Sequence, residues 1–168
     1  MSQSFDVYGP YRVPVKKTQG KKAYFEIEDN EGLSSFWEEC GMADRKGCSV
    51  FVNSVTIGSK PIYVGKTNNS FKNEIFGSHK RVLLNKFLNT ASKKGLHVFF
   101  ITSKSKANLE CVIDEIESYL IIQAKRANED LLNEKKTTPK WSIAGIYGET
   151  KIGKPTKSVT ELKKSMKF

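Results

Sequence analysis

The stretch Ser49-Val50-Phe51-Val52-Asn53-Ser54-Val55, followed by Gly58-Ser59-Lys60-Pro61 and Ile62-Tyr63-Val64-Gly65, reads as strand, turn and strand. β-Branched and aromatic residues fill both runs, and Gly and Pro punctuate the link. The expectation is an antiparallel hairpin. Downstream, Asn69-Ser70 offers a cap for a helix running to about Leu88. His97-Val98-Phe99-Phe100-Ile101-Thr102 is a short apolar run of strand type, and a second helix is expected from about Asn108 to Leu132. The order β-β-α-β-α predicts an α+β fold, an α/β sandwich whose helices flank a small, mostly antiparallel sheet.

Upstream, Tyr11-Arg12-Val13-Pro14-Val15 and Ala23-Tyr24-Phe25-Glu26-Ile27 look extended, separated by the turn-like Thr18-Gln19-Gly20. Leu33 to Cys40 reads as a short helix closed by Gly41. The chain thus divides into an N-terminal extension packed on the core (1–46), the core (47–133) and a basic C-terminal strand and tail (134–168), the strand being Trp141 to Tyr147.

The 168 residues suit one domain. Hydrophobic residues at 38% can build a core, which argues against a wholly disordered basic protein. The net charge of +10 makes a polyanion the first partner to consider, nucleic acid ahead of anionic membrane. Nine lysines against two acids after position 134 carry most of that excess. That segment is either a solvated tail or an arm that tracks phosphates. No apolar run approaches the ~20 residues of a membrane span, and Met1 to Val13 does not read as a secretory signal. Cys40, Cys48 and Cys111 are odd in number and widely spaced. They predict a reducing, cytoplasmic setting and small buried hydrophobes rather than disulfides or zinc.

Chemistry is suggested by polar residues on apolar faces. On a wheel of about 100° per residue centred on Ile113, the residues Ile116, Leu120, Ala124, Ala127 and Leu131 share one sector, and Glu117 falls inside it at about 40°. Asp114 and Glu115 fall outside, as ordinary solvated carboxylates do. A carboxylate on a buried face calls for a divalent metal, an Arg or Lys, or a proton; a salt bridge at the rim of the core would also satisfy it. In the first helix, Phe71, Ile75, Phe76, Val82, Leu83 and Phe87 define an apolar sector with His79 near its middle and Lys80 at its edge. His79 is then either a satisfied core histidine or a catalyst. Gly77 lies inside this helix, at a cost of about 1 kcal/mol relative to Ala. Gly65 could admit a ligand close to the backbone, and Lys66 could meet a phosphate.

The run Tyr63-Val64-Gly65-Lys66-Thr67, then Phe71, a helix, a strand, and Glu117-Ser118-Tyr119-Leu120-Ile121 resembles the GIY-YIG nuclease superfamily. The resemblance covers about Gly47 to Asn133, and Asn133 is the best candidate for the asparagine that follows the family's glutamate. Three departures stand out. Ser49, in Gly47-Cys48-Ser49, replaces the tyrosine of the first motif. The literal Gly145-Ile146-Tyr147 lies after every other motif. Glu74 stands where the family's helix arginine should be, within a pattern (Phe71, Glu74, Phe76, His79, Lys80) that resembles one sub-group.

The resemblance implies hydrolysis of phosphodiester bonds in DNA, less so RNA, with one Mg²⁺ or Mn²⁺ held by Glu117. It implies Tyr63 positioning or deprotonating the attacking water, His79 as general base, and Lys80 or Arg81 in place of the missing arginine. Lys66, Lys72, Lys135, Lys136, Lys140 and Asn133 would hold the nucleic-acid backbone. The alternative is a catalytically inactive nucleic-acid-binding module on the same fold, motivated by Ser49 and Glu74.

Overall fold

A computed structural model describes residues 4–19, 23–91, 95–104, 109–135 and 156–167. The expected hairpin is present as β4 (Gly47–Val52) and β5 (Pro61–Thr67), antiparallel, with Ser49 opposite Gly65 and Phe51 opposite Tyr63. β6 (His97–Ser103) pairs antiparallel with the other side of β4. β1 (Phe5–Arg12) pairs antiparallel with β6, so the N-terminal segment completes the sheet. The sheet order is β1-β6-β4-β5. β5 is therefore an edge strand. β2 (Val15–Thr18) and β3 (Tyr24–Ile27) form a separate two-stranded sheet.

Helices cover both faces of the large sheet. All six residues of β4 are buried, as a central strand between two helical layers requires. One core joins Val50, Val64, Phe99 and Ile101 to α4 (Leu109–Ala127) and α5 (Lys157–Met166). The other joins Phe51, Val98 and Phe100 to α1 (Ser34–Cys40), α2 (Phe71–Glu74) and α3 (Ser78–Thr90). Phe71 and Phe100 meet at 4.7 Å between ring centroids. Each such ring removes roughly 150–250 Å² from water, so these aromatics anchor the second core.

Local signals account for the element ends. Gly41 closes α1 in the left-handed conformation, φ 62°. Ser70 caps α2 by accepting from the Asn73 amide. Asn89 accepts from the Phe25 amide and donates to its carbonyl, and Asn85 accepts from the Ile27 amide. These bonds from α3 satisfy the outer edge of β3.

Several expectations need correction. The first helix is not continuous to Leu88: it breaks after α2, and Gly77, at φ −57° and ψ 155°, starts α3 anew. The second helix ends at Ala127, and Asn128 donates to the Pro61 carbonyl instead of extending it. The basic tail contains a packed helix: Val159, Leu162 and Met166 of α5 are buried, and Ser158 donates to the Gly9 carbonyl. The strand expected at 141–147 lies outside the described residues. Cys40 and Cys48 are buried free thiols, but Cys111 is exposed. Among the described residues no helix is long and apolar enough to cross a membrane.

Candidate active-site cleft

The site is built around the free edge of β5. Successive strand residues point to opposite faces, so Tyr63 and Gly65 look one way while Val64 and Lys66 look the other. An edge strand leaves its outer amides and carbonyls without ladder partners. Here the segment 128–133 supplies them along the first half of β5. The Leu132 amide donates to the Ile62 carbonyl at 2.9 Å. Asn133 accepts from the Val64 amide at 2.8 Å and donates to its carbonyl at 2.7 Å. Beyond Val64 a cleft of about 510 Å³ lies against the strand. Its walls are Tyr63 and Lys66 from β5, His79 and Leu83 from α3, and Asp114, Glu117, Ser118 and Ile121 from α4, with residues 132–135 at its margin.

Gly65 lies where several polar groups meet. A methyl group built there would approach Tyr63 Cε1 to 3.1 Å, Ser49 Oγ to 3.4 Å and Lys80 Nζ to 3.7 Å. The absence of that methyl leaves room for the tyrosine ring and the ammonium side by side. Ser49, where the resembled family has tyrosine, is buried and donates to the Gly65 carbonyl at 3.4 Å.

The α4 side of the cleft is a charge cluster. Lys66 Nζ lies 2.5 Å from Asp114 Oδ1 and 3.6 Å from Glu117 Oε2. The Glu117 side chain is only 20% exposed, against 51% for Asp114. Burial raises the Glu117 pKa; the charge of Lys66 and, more weakly, Lys80 oppose the shift without cancelling it, and Asp114 adds to it. Burial works to lower Lys66, but its hydrogen bond to Asp114 and the two carboxylate charges leave its pKa raised. Lys80 is half-buried with no hydrogen-bond or ion-pair partner among the described residues. Burial lowers its pKa, against the opposing charges of Glu74 and Glu117. Burial and then the Glu117 charge raise Tyr63, which keeps its phenol neutral at pH 7. Beneath the cluster, burial holds the Cys48 thiol well above its ordinary value.

The expected site residues therefore divide. Tyr63, Glu117, Lys66, His79 and Lys135 line one cleft; Lys80 is not in its lining, but its ammonium lies behind Tyr63, beside Gly65, and feels the charge of Glu117. His79 is exposed at the rim, not inside an apolar face, because the break at Gly77 turns α3. Arg81 is turned away: its guanidinium donates to the carbonyls of Ile27 and Glu28 and to Phe76, tying α3 to the end of β3. It cannot serve as the cation of this cleft. Asn133 accepts from the Val64 amide and donates to its carbonyl, so it clamps the strand edge and keeps one amide hydrogen beyond those bonds. Lys72 is exposed on α2 and does not line the cleft. Lys136 and Lys140 lie outside the described residues.

Asp114 is the site residue that sequence pattern alone does not single out. Its signal is its spacing: three positions before Glu117 on one helix, it shares the row that meets β5. No cluster of three or more His, Cys, Asp or Glu side chains suited to a metal ion occurs among the described residues. The donor chemistry here fits only an ion that takes one or two carboxylates and completes its shell with water and substrate oxygens, the habit of Mg²⁺. Comparison with known protein families, with curated proteins and with solved structures finds no match.

Proposed function

We propose that this chain is a divalent-metal-dependent nuclease that hydrolyses phosphodiester bonds in DNA, with RNA the less favoured substrate. The observation that carries the reading is the convergence of Tyr63, His79 and Glu117, from β5, α3 and α4, on one cleft, with the Lys80 ammonium beside Gly65 behind it. Packing accounts for the Tyr63 ring, which lies 6.3 Å from that of Phe51, but not for the carboxylate and the imidazole that share its cleft. The resemblance of this order of residues to the GIY-YIG superfamily supports the same reading.

Each group has a task suited to its surroundings. Lys80, half-desolvated and without an ion-pair partner among the described residues, stabilises negative charge that grows on the phosphoryl oxygens; such a charge is felt more strongly away from bulk water. Tyr63, kept protonated, orients the attacking water or a phosphate oxygen through its hydroxyl. His79 at the rim takes the proton as the water oxygen bonds to phosphorus and the bond to the leaving oxygen breaks. Lys66, with Asp114 as its anchor, keeps a positive charge beside Glu117. Glu117, with Asp114 near it, would hold Mg²⁺ or Mn²⁺, which when bound neutralises phosphate charge and assists the leaving oxygen.

A binding module without cleavage is the second reading, favoured by Ser49, whose hydroxyl is buried against Gly65 where a catalytic tyrosine would stand. One experiment separates the two. Purified protein is incubated with plasmid, single-stranded DNA and RNA, with Mg²⁺, with Mn²⁺ or with chelator. Metal-dependent cleavage that Glu117→Gln abolishes is expected. Salt-sensitive binding with no cleavage under either metal selects the binding module, and cleavage that survives Glu117→Gln places the chemistry elsewhere.

A further inference from the structure

A second hollow of about 230 Å³ adjoins the cleft and shares Ile121 and Asn133 with it. Its remaining walls are Ile122, Lys125 and Arg126. Two parallel rows of α4 run from the cleft into it: Glu117, Ile121, Lys125 and, beside them, Ser118, Ile122, Arg126. Residues four apart are surface neighbours on a helix, so each row is a continuous track. Both tracks change in the same order, polar at the cleft, isoleucine in the middle and cation at the far end. Eight residues span ~12 Å along the axis at ~1.5 Å per residue. At the ~3.4 Å step of a stacked strand that is at most three to four nucleotides, and fewer where the strand is extended.

The composition of the hollow selects what fits it. A duplex lays sugars and phosphates on a protein surface and has little use for an aliphatic floor. An unpaired nucleotide uses both parts, its base face against apolar side chains and its phosphate on a cation. Lys125 gives one donor to the Glu129 carbonyl at 2.8 Å, which leaves two. Arg126 is exposed and has no ion-pair partner among the described residues. Asn133 in the wall spends one donor and one acceptor site on Val64, which fixes its orientation at the strand edge. Basic residues in a last helical turn also complement the helix dipole, but that role needs neither a hollow nor a half-exposed isoleucine.

We infer that this hollow seats an unpaired nucleotide within about four positions of the scissile phosphate, its base on Ile122 and the exposed margin of Ile121 and its phosphate on Lys125 and Arg126. The inference rests on the nuclease reading for the location of the scissile phosphate. It makes the favoured substrate a strand with a single-stranded stretch, such as a flap, a gap or a loop, in DNA or RNA.

The test measures binding apart from cleavage. The full chain carrying Glu117→Gln is titrated with fluorescein-labelled 15-mers of oligo-dT and oligo-U and with a 15-base-pair duplex, by anisotropy over a salt series. In that background Lys125→Ala with Arg126→Ala should weaken single-strand binding at least tenfold at low salt. The slope of log affinity against log salt should flatten by about 0.7 for each phosphate that the variant no longer neutralises. Arg126→Lys should keep most of the affinity. Ile122→Ser should cost several-fold at unchanged salt slope and Ile122→Val little, thermal melts confirming that each variant is folded. The oligo-dT and oligo-U arms tell DNA from RNA. Loss of duplex binding as large as that of single strands overturns the unpaired seat. Unchanged single-strand binding in all variants, while the wild-type chain cleaves, overturns the hollow and leaves the nuclease reading standing. Binding that depends on the hollow, without wild-type cleavage under either metal, removes the nuclease reading and keeps the seat. No binding to any strand removes both.

Discussion

Helices α3 and α4 line the same cleft, yet the apolar wheel describes one and misdescribes the other. On α4 the phase counted from Ile113 holds to the end: Ile116, Leu120, Ala124 and Ala127 are buried, and Glu117 sits among them at 20% exposure. On α3 the phase counted from Phe71 fails: Val82 is 66% exposed, while Leu84 and Leu88, outside the counted sector, are fully buried. A wheel assumes about 100° per residue without interruption. α4 meets that condition for 19 residues. The first helix does not, because Gly77 at ψ 155° inserts an extended residue and restarts the count. The error moves the inward position by one residue: His79 goes to the exposed rim and Lys80 turns in beside Gly65.

The largest effect that sharpens this contrast lies on α4. Glu117→Gln should lower the cleavage rate by about 10³, the scale of losing one preorganised electrostatic group. Retained nucleic-acid affinity in the same variant separates chemistry from holding. Next comes the buried face of α3. Leu84→Ala should destabilise the fold by about 3 kcal/mol in urea unfolding, since it empties a fully enclosed site in the core that holds Phe51 and Phe100. A cost near zero there would restore the uninterrupted wheel.

Between the helices, Gly65→Ala tests the juxtaposition of Tyr63 and Lys80. Its methyl would crowd the Tyr63 ring at 3.1 Å and approach the Lys80 ammonium. A loss of about tenfold in kcat with little change in KM is expected, because a small displacement of positioned groups is costly to rate. A variant as active as the wild type would mean that Tyr63 and Lys80 need not lie side by side.

Glu117 also links the site to stability. Its folded pKa is raised, so the folded chain holds that proton more tightly than the unfolded chain. The ionised group is a burden at neutral pH that disappears below its ordinary value near 4.5. Glu117→Gln should therefore stabilise the protein by about 1 kcal/mol at pH 7, with the gap closing as pH falls through the raised folded pKa toward 4.5. Melting temperatures of the two chains across pH 4 to 8 check both the size and the direction.

What the sequence made legible follows from range. The β4–β5 hairpin, β6, α4 and the Gly41 and Ser70 ends are written in neighbouring residues, and each is present. The α+β class follows from their order. Asn133 shows where that kind of reading stops. Its task is to satisfy the amide and carbonyl of Val64, and that need exists only because β5 lies at the edge of the sheet. Arg81 is similar: it serves carbonyls of Ile27 and Glu28, more than fifty residues away in the chain. Asp114 is hidden by the opposite fault. The wheel assigns its side of α4 to solvent, but Lys66 from β5 reaches it there. Local pattern finds the carboxylate that is buried and misses the one that holds its counter-ion.

The smallest predicted effect is the most pointed test of the contrast. An uninterrupted first helix would bury Val82, and Val82→Ser would then lose roughly 1.5–3 kcal/mol of burial as well as strand a hydroxyl in the core. With α3 restarted at Gly77, Val82 faces solvent, and the same change should cost under about 0.5 kcal/mol. Urea midpoints at unchanged slope measure the difference cleanly. A loss above about 1 kcal/mol would mean that α3 is turned toward the uninterrupted phase. His79 would then swing inward and Lys80 outward, and base and cation would exchange places in the cleft.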